Sequence, residues 1–509
     1  MARVPPASTS ARPQIYESTR RRRHKISYLT LRPPIVLRNG AWVYEGPHKS
    51  RKLRADADIL LVGGRVAAVG NRVSAPVEAR VIDASRWLVL PGFVNAHHHL
   101  SQQLTRTRAC DGGLVEWLAD LYPVWNAVDQ EIAYHSARVG IAELVLTGTT
   151  TISDFTYFFP RGQAAIFDAQ VAAANELGCR FVPVRGGIVE LEAGVRTALG
   201  PSFEKELEDP DTFLSEADRV IDAYHDPSDD ALCRVAVGLT EKAYGSPRLM
   251  TEIAELAERR EVRLHTHLHP RVDERMFVEA ELGVDPIGFL ESVGWWGDRL
   301  WVAHGTRLRP GELDRMASAR VGLCTCPSSN ARFGTPIAPA FELHREGGHV
   351  GIGVDGAASN DGGDMLGECR LTLQAQRIRA AADGLPFGEV TPSLVLDWAT
   401  MGGADLLGWP ALGTLVEGGL ADLACFDLAT LDYAGASDPL AALLLCGISH
   451  RAACVIVGGQ IVVEEGRLVR CDEEEIAAAA RQAEQELCRR TGKHAREALT
   501  RNVTWRAVS

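Results

Sequence analysis

The middle of the chain alternates short apolar runs with longer helix-forming stretches, and this rhythm constrains the fold more than any other feature. The apolar runs include TTTISDF, CRFVPVRGG, CRVAVGL, VRLHTHL, LWVAHGT, VGLCTCP and VGIGVDG. Strands that alternate with helices form parallel sheets, and a count that starts at LVLPGFVNAHHH gives eight strands. The sequence therefore predicts an α/β fold, a (β/α)8 TIM-type barrel over residues 91–410.

Both ends of the chain carry short β-rich runs instead. PPIVLRNGAWVYE, ADILLVGGRVAAVG and EARVIDASRWLVLPGF precede the barrel, and ADLACFDL and AACVIVGGQIVVEEGRLV follow it. Dipeptides that favour hairpin turns, because they tolerate positive φ, occur within these runs at Asn39-Gly40, Gly63-Gly64 and Gly458-Gly459. We expect residues 31–90 and 411–470 to pair into one small β-sandwich-like domain.

The two termini extend beyond these domains. Residues 1–30 mix proline, serine and arginine, include the basic run RRRRH, and are predicted to form a flexible arm. Residues 471–509 are rich in alanine, glutamate and arginine at helical spacing. This spacing predicts a C-terminal amphipathic helix and tail.

Composition excludes several classes of function. The formal net charge of −12 argues against a nucleic-acid partner, which requires a basic surface. No apolar run reaches the ~18 residues that span a membrane. The eleven cysteines occur without a secretory leader, and their spacing forms no pair of CxxC motifs. We therefore expect free thiols in a reducing cytoplasm. We expect a cytoplasmic protein with a small-molecule partner.

Four strand ends of the predicted barrel carry polar side chains. The active site of a parallel barrel lies at the C-terminal ends of its strands. Side chains alternate along a strand, so the two residues of a His-x-His pair share one face while the residue between them points away. The polar residues are His97, His98 and His99 in VNAHHHL, His265 and His267 in LHTHL, His304 in VAHG, and Asp355 in GVDGAASND.

These residues together form a ligand set for a metal. A His-x-His pair, a later strand-end histidine and a final aspartate supply neutral nitrogen atoms and one hard oxygen atom, which suits Zn²⁺ or Fe²⁺ better than Ca²⁺ or Mg²⁺. A metal held this way activates a water molecule, and Asp355 is able to accept its proton. A single histidine is more often a core or surface residue, but four such strand ends in order favour a hydrolytic site.

The same segments carry a family resemblance. PGFVNAHHH, HTHL, AHG and GVDGAASND, in this order and spacing, resemble the aminohydrolase branch of the amidohydrolase superfamily. The similarity runs from about residue 55 to 465 and is strongest to 8-oxoguanine deaminases and hydroxyatrazine ethylaminohydrolases. It implies a barrel hydrolase with one metal ion, which displaces an amino or alkylamino group from a nitrogen heterocycle and forms a homodimer.

The resemblance also assigns roles to residues. One divalent metal, Zn²⁺ by expectation and Fe²⁺ as the alternative, would be held by His97, His99, His267 and Asp355. His304 would orient water or polarise the substrate. Gln102 in HHHLSQQ and Arg185 in VRGG match substrate-side residues of the relatives, although either could instead bond to a loop backbone.

One position departs from the family pattern. The relatives continue the fifth-strand histidine as His-Leu-x-Glu, and that glutamate shuttles a proton, whereas this chain has Pro270 at the glutamate position. Loss of a general acid costs about 10²–10⁴ in rate. The candidates for its replacement are His269, Glu241, Asp273 and Glu274, and each of the three carboxylates could equally be a solvated loop charge.

Two alternatives to deamination remain open at this point. If no group replaces the glutamate, the substrate would carry a leaving group that departs unaided, such as halide or alkoxide, or would be a lactam or imide ring that opens. The other alternative is a non-catalytic scaffold that retains the metal site. The four intact metal ligands argue against a scaffold, because a scaffold has no physical need for them.

Overall fold

The computed structural model describes residues 33–46, 53–160, 163–189, 207–240, 246–268, 279, 283–447 and 450–492. Its strands, in chain order, are β1 (Ile35–Tyr44), β2 (Leu53–Val62), β3 (Arg65–Gly70), β4 (Arg80–Asp83), β5 (Trp87–Pro91), β6 (Phe93–Asn95), β7 (Thr149–Thr156), β8 (Arg180–Arg185), β9 (Ala236–Gly238), β10 (Arg263–Leu268), β11 (Leu300–His304), β12 (Gly322–Thr325), β13 (His349–Ile352), β14 (Leu423–Asp427), β15 (Cys454–Val457), β16 (Gln460–Glu464) and β17 (Arg467–Leu468).

Helices follow most of the barrel strands. They are α1 (Leu114–Trp125), α2 (Gln130–Leu146), α3 (Ala165–Leu177), α4 (Pro210–Tyr224), α5 (Pro247–Arg259), α6 (Pro286–Ser292), α7 (Pro310–Ala319), α8 (Pro327–Arg332), α9 (Ala340–Arg345), α10 (Met365–Ala382), α11 (Pro392–Asp397), α12 (Gly403–Leu406), α13 (Pro439–Leu445) and α14 (Glu473–Thr491). Short 3-10 turns span Leu100–Thr105, Phe387–Glu389 and Leu431–Tyr433, and a π-helical turn spans Trp398–Gly402. Several helices begin with a polar capping side chain followed by proline, as at Asp209 and Ser246, which satisfies free backbone N–H groups and sets φ for the first turn.

An eight-stranded parallel sheet, from β6 to β13 in sequence order, forms the barrel. Hydrogen bonds of 3.0 Å from Ala96 N to Ile352 O and from Asp355 N to His97 O join its last strand to its first. The strands contain near-continuous buried residues, as expected for a sheet that is covered by helices on its outside. The predicted TIM-type barrel is confirmed.

The two chain ends pair in a second sheet, of nine strands. Its order is β17-β16-β15-β14-β5-β1-β2-β3, with β4 also paired to β1. The antiparallel pairing of β5 with β14 joins the N-terminal strands to the C-terminal ones. This sheet encloses its own hydrophobic core, which includes Leu37, Ile59, Val89, Leu423 and Ile456. The predicted pairing of the chain ends into one small β-domain is therefore confirmed.

Two of the three predicted hairpin turns are confirmed. Gly63-Gly64 joins β2 to β3 and Gly458-Gly459 joins β15 to β16, with positive φ at all four glycines. The third prediction, a hairpin at Asn39-Gly40, is wrong, because both residues lie inside β1. Asn39 has a φ of 58°, and the pairing of β1 with β2 shifts register between Leu37 and Gly40. The dipeptide therefore forms an irregularity within a strand rather than a turn between strands.

The C-terminal helix α14 packs against α2, and Arg138 on α2 pairs with Glu475 on α14 at 2.7 Å. Within the described ranges, no helix has both the length and the apolar character needed to cross a membrane. The N-terminal arm predicted at residues 1–30 and the tail beyond residue 492 lie outside the described residues.

Candidate active site

Five polar side chains meet at the C-terminal end of the barrel. His97 and His99 follow β6, His267 lies near the end of β10, His304 ends β11, and Asp355 follows β13. All five are buried or nearly so. They come from four strands that are far apart in sequence, because a closed parallel barrel gathers its strand ends in one ring.

The atoms that could bind a metal lie within a few ångströms of one another. Asp355 Oδ1 is 3.4 Å from His97 Nε2 and 3.3 Å from His99 Nε2. His267 Nε2 is 3.3 Å from His99 Nε2, and His304 Nε2 is 3.7 Å from Asp355 Oδ2. Both sets His97–His99–His267 and His97–His304–Asp355 therefore have the proximity that one metal ion requires.

Hydrogen bonds at the outer ring nitrogens determine the tautomers of His99 and His267. His99 Nδ1 lies 2.7 Å from Phe155 O, and His267 Nδ1 lies 2.6 Å from Thr240 O. A carbonyl oxygen only accepts, so both Nδ1 atoms must carry the proton. Each Nε2 then presents a lone pair towards the cluster, as a metal ligand requires.

His97 is oriented through a second histidine, His265. His265 Nδ1 lies 2.8 Å from Trp301 O and must donate to it, which leaves His265 Nε2 as an acceptor. His97 Nδ1, at 2.8 Å from that Nε2, is therefore the donor, and His97 Nε2 carries a lone pair. Burial lowers the pKa of His265 to about 3, which keeps this pair of rings neutral.

The donor set fits a divalent metal. His97 Nε2 is buried and has no hydrogen-bond partner among the residues that the structure describes. Burial holds the pKa of His97 and His267 well below its usual value, so both rings are neutral. Burial also raises the pKa of Asp355, but the adjacent side chains of His97, His99 and His304 outweigh burial and hold the pKa well below its usual value. Neutral nitrogens beside a carboxylate are the ligands that Zn²⁺ prefers.

The backbone at two of these residues is strained. His304 has a φ of 72° and Asp355 a φ of 62°, in the left-handed region that residues with a side chain rarely adopt. Such strain persists only where the surroundings over-determine it, and it concentrates at functional sites. Gly356 then permits a close approach, because a Cβ atom there would lie 1.9 Å from Gln102 Oε1.

His304 is held by a residue that sequence reasoning did not single out. Its Nδ1 lies 3.0 Å from Asn330 Oδ1, and burial lowers its pKa. Asn330 belongs to the polar run CPSSN after β12, which was the signal available in the sequence. His98, as predicted for the middle residue of the His-x-His pair, turns away, and its Nδ1 accepts the backbone N–H of His99 at 2.7 Å.

A cavity of about 350 Å³ opens above the cluster. Its floor is polar and includes His99, His267, His304 and Asp355. One wall comes from helix α1 and its neighbours, and its lining side chains are Leu114, Trp117, Leu118, Tyr122 and Phe333. The Trp117 and Phe333 rings meet edge to face, with centroids 5.3 Å apart. A polar floor under apolar and aromatic walls suits a flat heterocycle.

The structure brings Gln102 to this cavity but not Arg185. The Gln102 side chain is buried, donates from Nε2 to Tyr157 Oη at 3.0 Å, and has no partner at Oε1 within the described part of the chain. Arg185 ends β8 but pairs with Glu208 at 2.5 Å and lies 3.8 Å from the centre of the Phe159 ring. Arg185 is not among the described residues that line the cavity.

The candidates for the missing proton shuttle lie outside the described residues. These are Glu241, His269, Asp273 and Glu274, together with Pro270 at the position where relatives have glutamate. Their part in catalysis stays a prediction. Glu116, which sequence reasoning missed, is a carboxylate among the described lining residues of the cavity.

The chain is similar to a known protein family and to several deaminases. A family model described as amidohydrolase family matches residues 88–462. The chain is 39% identical to an 8-oxoguanine deaminase of Pseudomonas aeruginosa over 424 residues, which cover 82% of this chain and 92% of that protein. It is 32% identical to an isoxanthopterin deaminase from an unknown prokaryotic organism, over 90% of this chain and 98% of the relative.

Two further similarities concern triazine substrates. A hydroxydechloroatrazine ethylaminohydrolase of a Pseudomonas species is 33% identical over 83% of this chain and 89% of its own length. A crystal structure of an atrazine chlorohydrolase from Arthrobacter aurescens, complexed with zinc, superposes with a TM-score of 0.82 at 32% identity, covering 88% of this chain and 100% of that one. The resemblance seen in the sequence motifs is confirmed.

Proposed function

The chain belongs to the amidohydrolase family and is a metal-dependent hydrolase of carbon–nitrogen bonds other than peptide bonds, and from this premise we propose that it deaminates an aminated oxopurine or a similar fused heterocycle. The observation that carries the proposal is the group of histidine nitrogens and one carboxylate at the floor of an aromatic-walled cavity. Identity of 39% to an 8-oxoguanine deaminase supports the substrate class.

The ion would be held by His97, His99, His267 and Asp355, and we propose that it is Zn²⁺. When bound, zinc supplies a Lewis acid that makes water nucleophilic near neutral pH. The proposal is supported by the donor set and by the zinc present in the atrazine chlorohydrolase neighbour.

Asp355 would accept a proton during the reaction, and His304 would orient water or polarise the substrate. Asp355 would take the proton of the attacking water, and its low pKa, which keeps it ionised, supports this role. Its Oδ2 lies 3.3 Å from Ser359 Oγ and 3.7 Å from His304 Nε2. Asn330 holds the ring of His304 through Nδ1, so that Nε2 faces the carboxylate and would also face the attacked carbon of a bound substrate.

Gln102 would recognise the edge of the heterocycle. An oxopurine carries adjacent ring N–H and carbonyl groups, and a side-chain amide is complementary to such an edge. Oε1 of Gln102 is buried without a partner in the described residues, so a substrate N–H would satisfy it. The planar faces of the ring would pack against Trp117 and Phe333.

An ammonia-release assay across aminated heterocycles tests the proposal. The panel contains 8-oxoguanine, guanine, isoxanthopterin and an alkylamino triazine, with zinc quantified by elemental analysis and Asp355→Asn as the matched inactive control. We expect about one zinc per chain and ammonia release that is fastest for an oxopurine. Release from none of the panel by zinc-loaded protein would overturn the proposed activity, and binding without turnover would favour the scaffold alternative.

A second candidate is displacement of halide from a chlorinated triazine. The superposition on an atrazine chlorohydrolase favours it, and a halide departs without the proton that the family glutamate supplies. A chloride assay with a chlorotriazine distinguishes the two activities. Chloride release without ammonia release would replace the deaminase proposal with this one.

We also propose that the chain acts as a homodimer, as the family resemblance implies. Light scattering from the purified protein measures the mass in solution. A mass of one chain across the working concentration range would contradict this.

A further inference from the structure

A buried carboxylate, Glu368 on helix α10, lies behind the reacting residues rather than in the cavity lining that the structure describes. Its Oε1 accepts a hydrogen bond from Ser328 N at 2.9 Å. Its Oε2 is bonded to Ser328 Oγ and accepts from Asn360 Nδ2 at 3.3 Å. One side chain thus joins two loops at the C-terminal end of the barrel.

The first loop leads to His304. Ser328 lies in helix α8, a single short helix that also carries Asn330. Asn330 Oδ1 accepts from His304 Nδ1 at 3.0 Å. Because Ser328 and Asn330 are two residues apart in one turn, fixing Ser328 to Glu368 also fixes the group that orients His304.

The second loop leads to Asp355. Asn360 Nδ2 donates to Val354 O at 2.6 Å, and Val354 is the residue immediately before Asp355. The backbone N–H of Asn360 also bonds to Gly356 O at 2.9 Å, which closes the turn around Asp355. Glu368 therefore holds Asn360 while Asn360 holds both ends of that turn.

The link from Glu368 reaches two residues with a strained backbone, His304 through Asn330 and Asp355 through Asn360. His304 and Asp355 have φ values of 72° and 62°, and a backbone in this region relaxes unless neighbouring contacts prevent it. The two side chains approach each other from different strands, with His304 Nε2 at 3.7 Å from Asp355 Oδ2. Their separation depends on two loops that have no sequence link.

We propose that Glu368 is a positioning residue that sets the separation of His304 and Asp355 by joining helix α8, which holds His304 through Asn330, to the turn around Asp355. The inference rests on the proposed function, because it assigns both residues to the reaction. A purely structural carboxylate would contribute stability only, and its removal would leave the geometry of the site unchanged.

Three variants test the inference. Glu368→Leu removes the hydrogen bonds to both Ser328 and Asn360. Burial raises the pKa of Glu368 to about 8, so Glu368→Gln matches its charge near neutral pH. Glutamine retains an oxygen that accepts from Ser328 N, but its NH2 group faces the NH2 group of Asn360. Only the contact with Asn360, which holds the turn around Asp355, is therefore weakened.

The matched control is Gln376→Leu on the same helix. Gln376 is equally buried, donates to Ala338 O at 2.9 Å and accepts from Phe341 N at 3.1 Å. It joins α10 to the first turn of α9 and the residue Ala338 just before it, rather than to helix α8 or the turn around Asp355. Its replacement by leucine removes a comparable buried, hydrogen-bonded side chain whose hydrogen bonds do not lead to His304 or Asp355.

The first readout is catalysis by the zinc-loaded protein at equal metal content. We expect Glu368→Leu to lower kcat about 10- to 100-fold, the usual effect of losing a group that orients metal ligands, with a smaller change in KM. Glu368→Gln should lower kcat less. Gln376→Leu should retain the kcat of the parent even where its melting temperature falls.

The second readout does not need a substrate. Cobalt-loaded protein absorbs visible light in bands that report the geometry of its ligands, Asp355 among them. We expect both Glu368 variants to shift these bands and Gln376→Leu to leave them unchanged. The cobalt bands can be measured even if no panel substrate is turned over. A failure of the proposed function is therefore distinguishable from a failure of the positioning role of Glu368.

Parent-like bands and parent-like kcat in Glu368→Leu, with a loss of melting temperature similar to that of Gln376→Leu, would overturn the inference. If Glu368→Leu does not fold, Glu368→Gln carries the test. Unchanged bands and unchanged kcat in Glu368→Gln would then overturn it equally.

Discussion

Two buried polar clusters lie at opposite ends of the barrel, and they are built differently. Strand β8 begins at Arg180, whose guanidinium donates from Nε and Nη2 to the carboxylate of Asp422 at 2.8 and 2.9 Å. Its Nη1 donates to the carbonyls of Asp230 and Ala231. Asp422 also accepts from Gly458 N, so this cluster fastens the barrel to the small β-domain with its polar groups satisfied.

The cluster at the other end consists of potential ligand atoms that face one another. His97 Nε2 is buried without a partner in the described residues, and two residues of the cluster hold strained φ values. Buried polar atoms are normally hydrogen-bonded, and this one instead presents a lone pair to a group of other ligand atoms, as a metal ligand does. The contrast teaches that burial of charge alone does not indicate function, whereas buried nitrogen and carboxylate atoms that converge on one point do.

Removal of the metal should have the largest effect on activity among the tests of this contrast. A chelator should abolish activity, because the cluster at the C-terminal end then lacks its Lewis acid, and added Zn²⁺ should restore it. The Arg180–Asp422 end needs no ion, so circular dichroism should show that the chelated protein stays folded. Activity that persists in protein shown by elemental analysis to hold no metal would contradict the assignment.

Replacement of Asp355 by asparagine tests the site by itself. We expect kcat to fall by about 10²–10⁴, because the variant loses the proposed proton acceptor. The melting temperature should change little, since asparagine has nearly the same shape. Steady-state kinetics at matched metal content measures the effect, and a kcat equal to that of the parent would show that another group accepts the proton.

The same substitution at the opposite end, Asp422→Asn, should have the reverse outcome. It leaves the buried charge of Arg180 without its counter-ion, which costs about 3–5 kcal/mol of unfolding free energy. Activity per folded molecule should be unchanged, because the pair is far from the cavity. Urea unfolding and kinetics on the same sample measure both quantities, and a loss of kcat with full stability would reverse the roles of the two ends.

The smallest effect concerns pH. The pKa of His265 is about 3 in the folded protein against 6.5 for a free histidine, so the unfolded chain binds the extra proton between these values. This contribution is complete above pH 6.5, and stability is lost as the pH falls below it, by about 1 kcal/mol per pH unit. Metal-free His265→Gln should show a shallower decline of the urea midpoint than the parent, and parallel declines would refute the assignment of this pKa.

Much of this arrangement was predictable from local sequence. Apolar runs that alternate with helical stretches indicate a barrel, and polar residues at strand ends indicate the ring where a site forms. The turns at Gly63-Gly64 and Gly458-Gly459 follow from the tolerance of glycine for positive φ. Each of these signals lies within a few residues of the structure that it predicts.

Signals of the same kind failed where a distant partner decided the outcome. Asn39-Gly40 has the composition of a turn, but pairing of β1 with β2 continues through it. Arg185 lies at a strand end, as a substrate-binding residue would, but Glu208 pairs with it instead. The apolar wall from α1 was likewise not foreseen, since its helical pattern does not indicate which surface it covers.

The sequence by itself determined the fold class, the order of the strands and the residue types at the site, because strand and helix periodicity and strand-end polarity are local properties. Only the tertiary structure decided which nitrogen of each histidine faces the cluster, since a carbonyl or a second histidine on another segment fixes it. It also decided that Glu368 joins helix α8, which holds His304 through Asn330, to the turn around Asp355. These contacts link residues far apart in the chain, and no short stretch of sequence contains both partners.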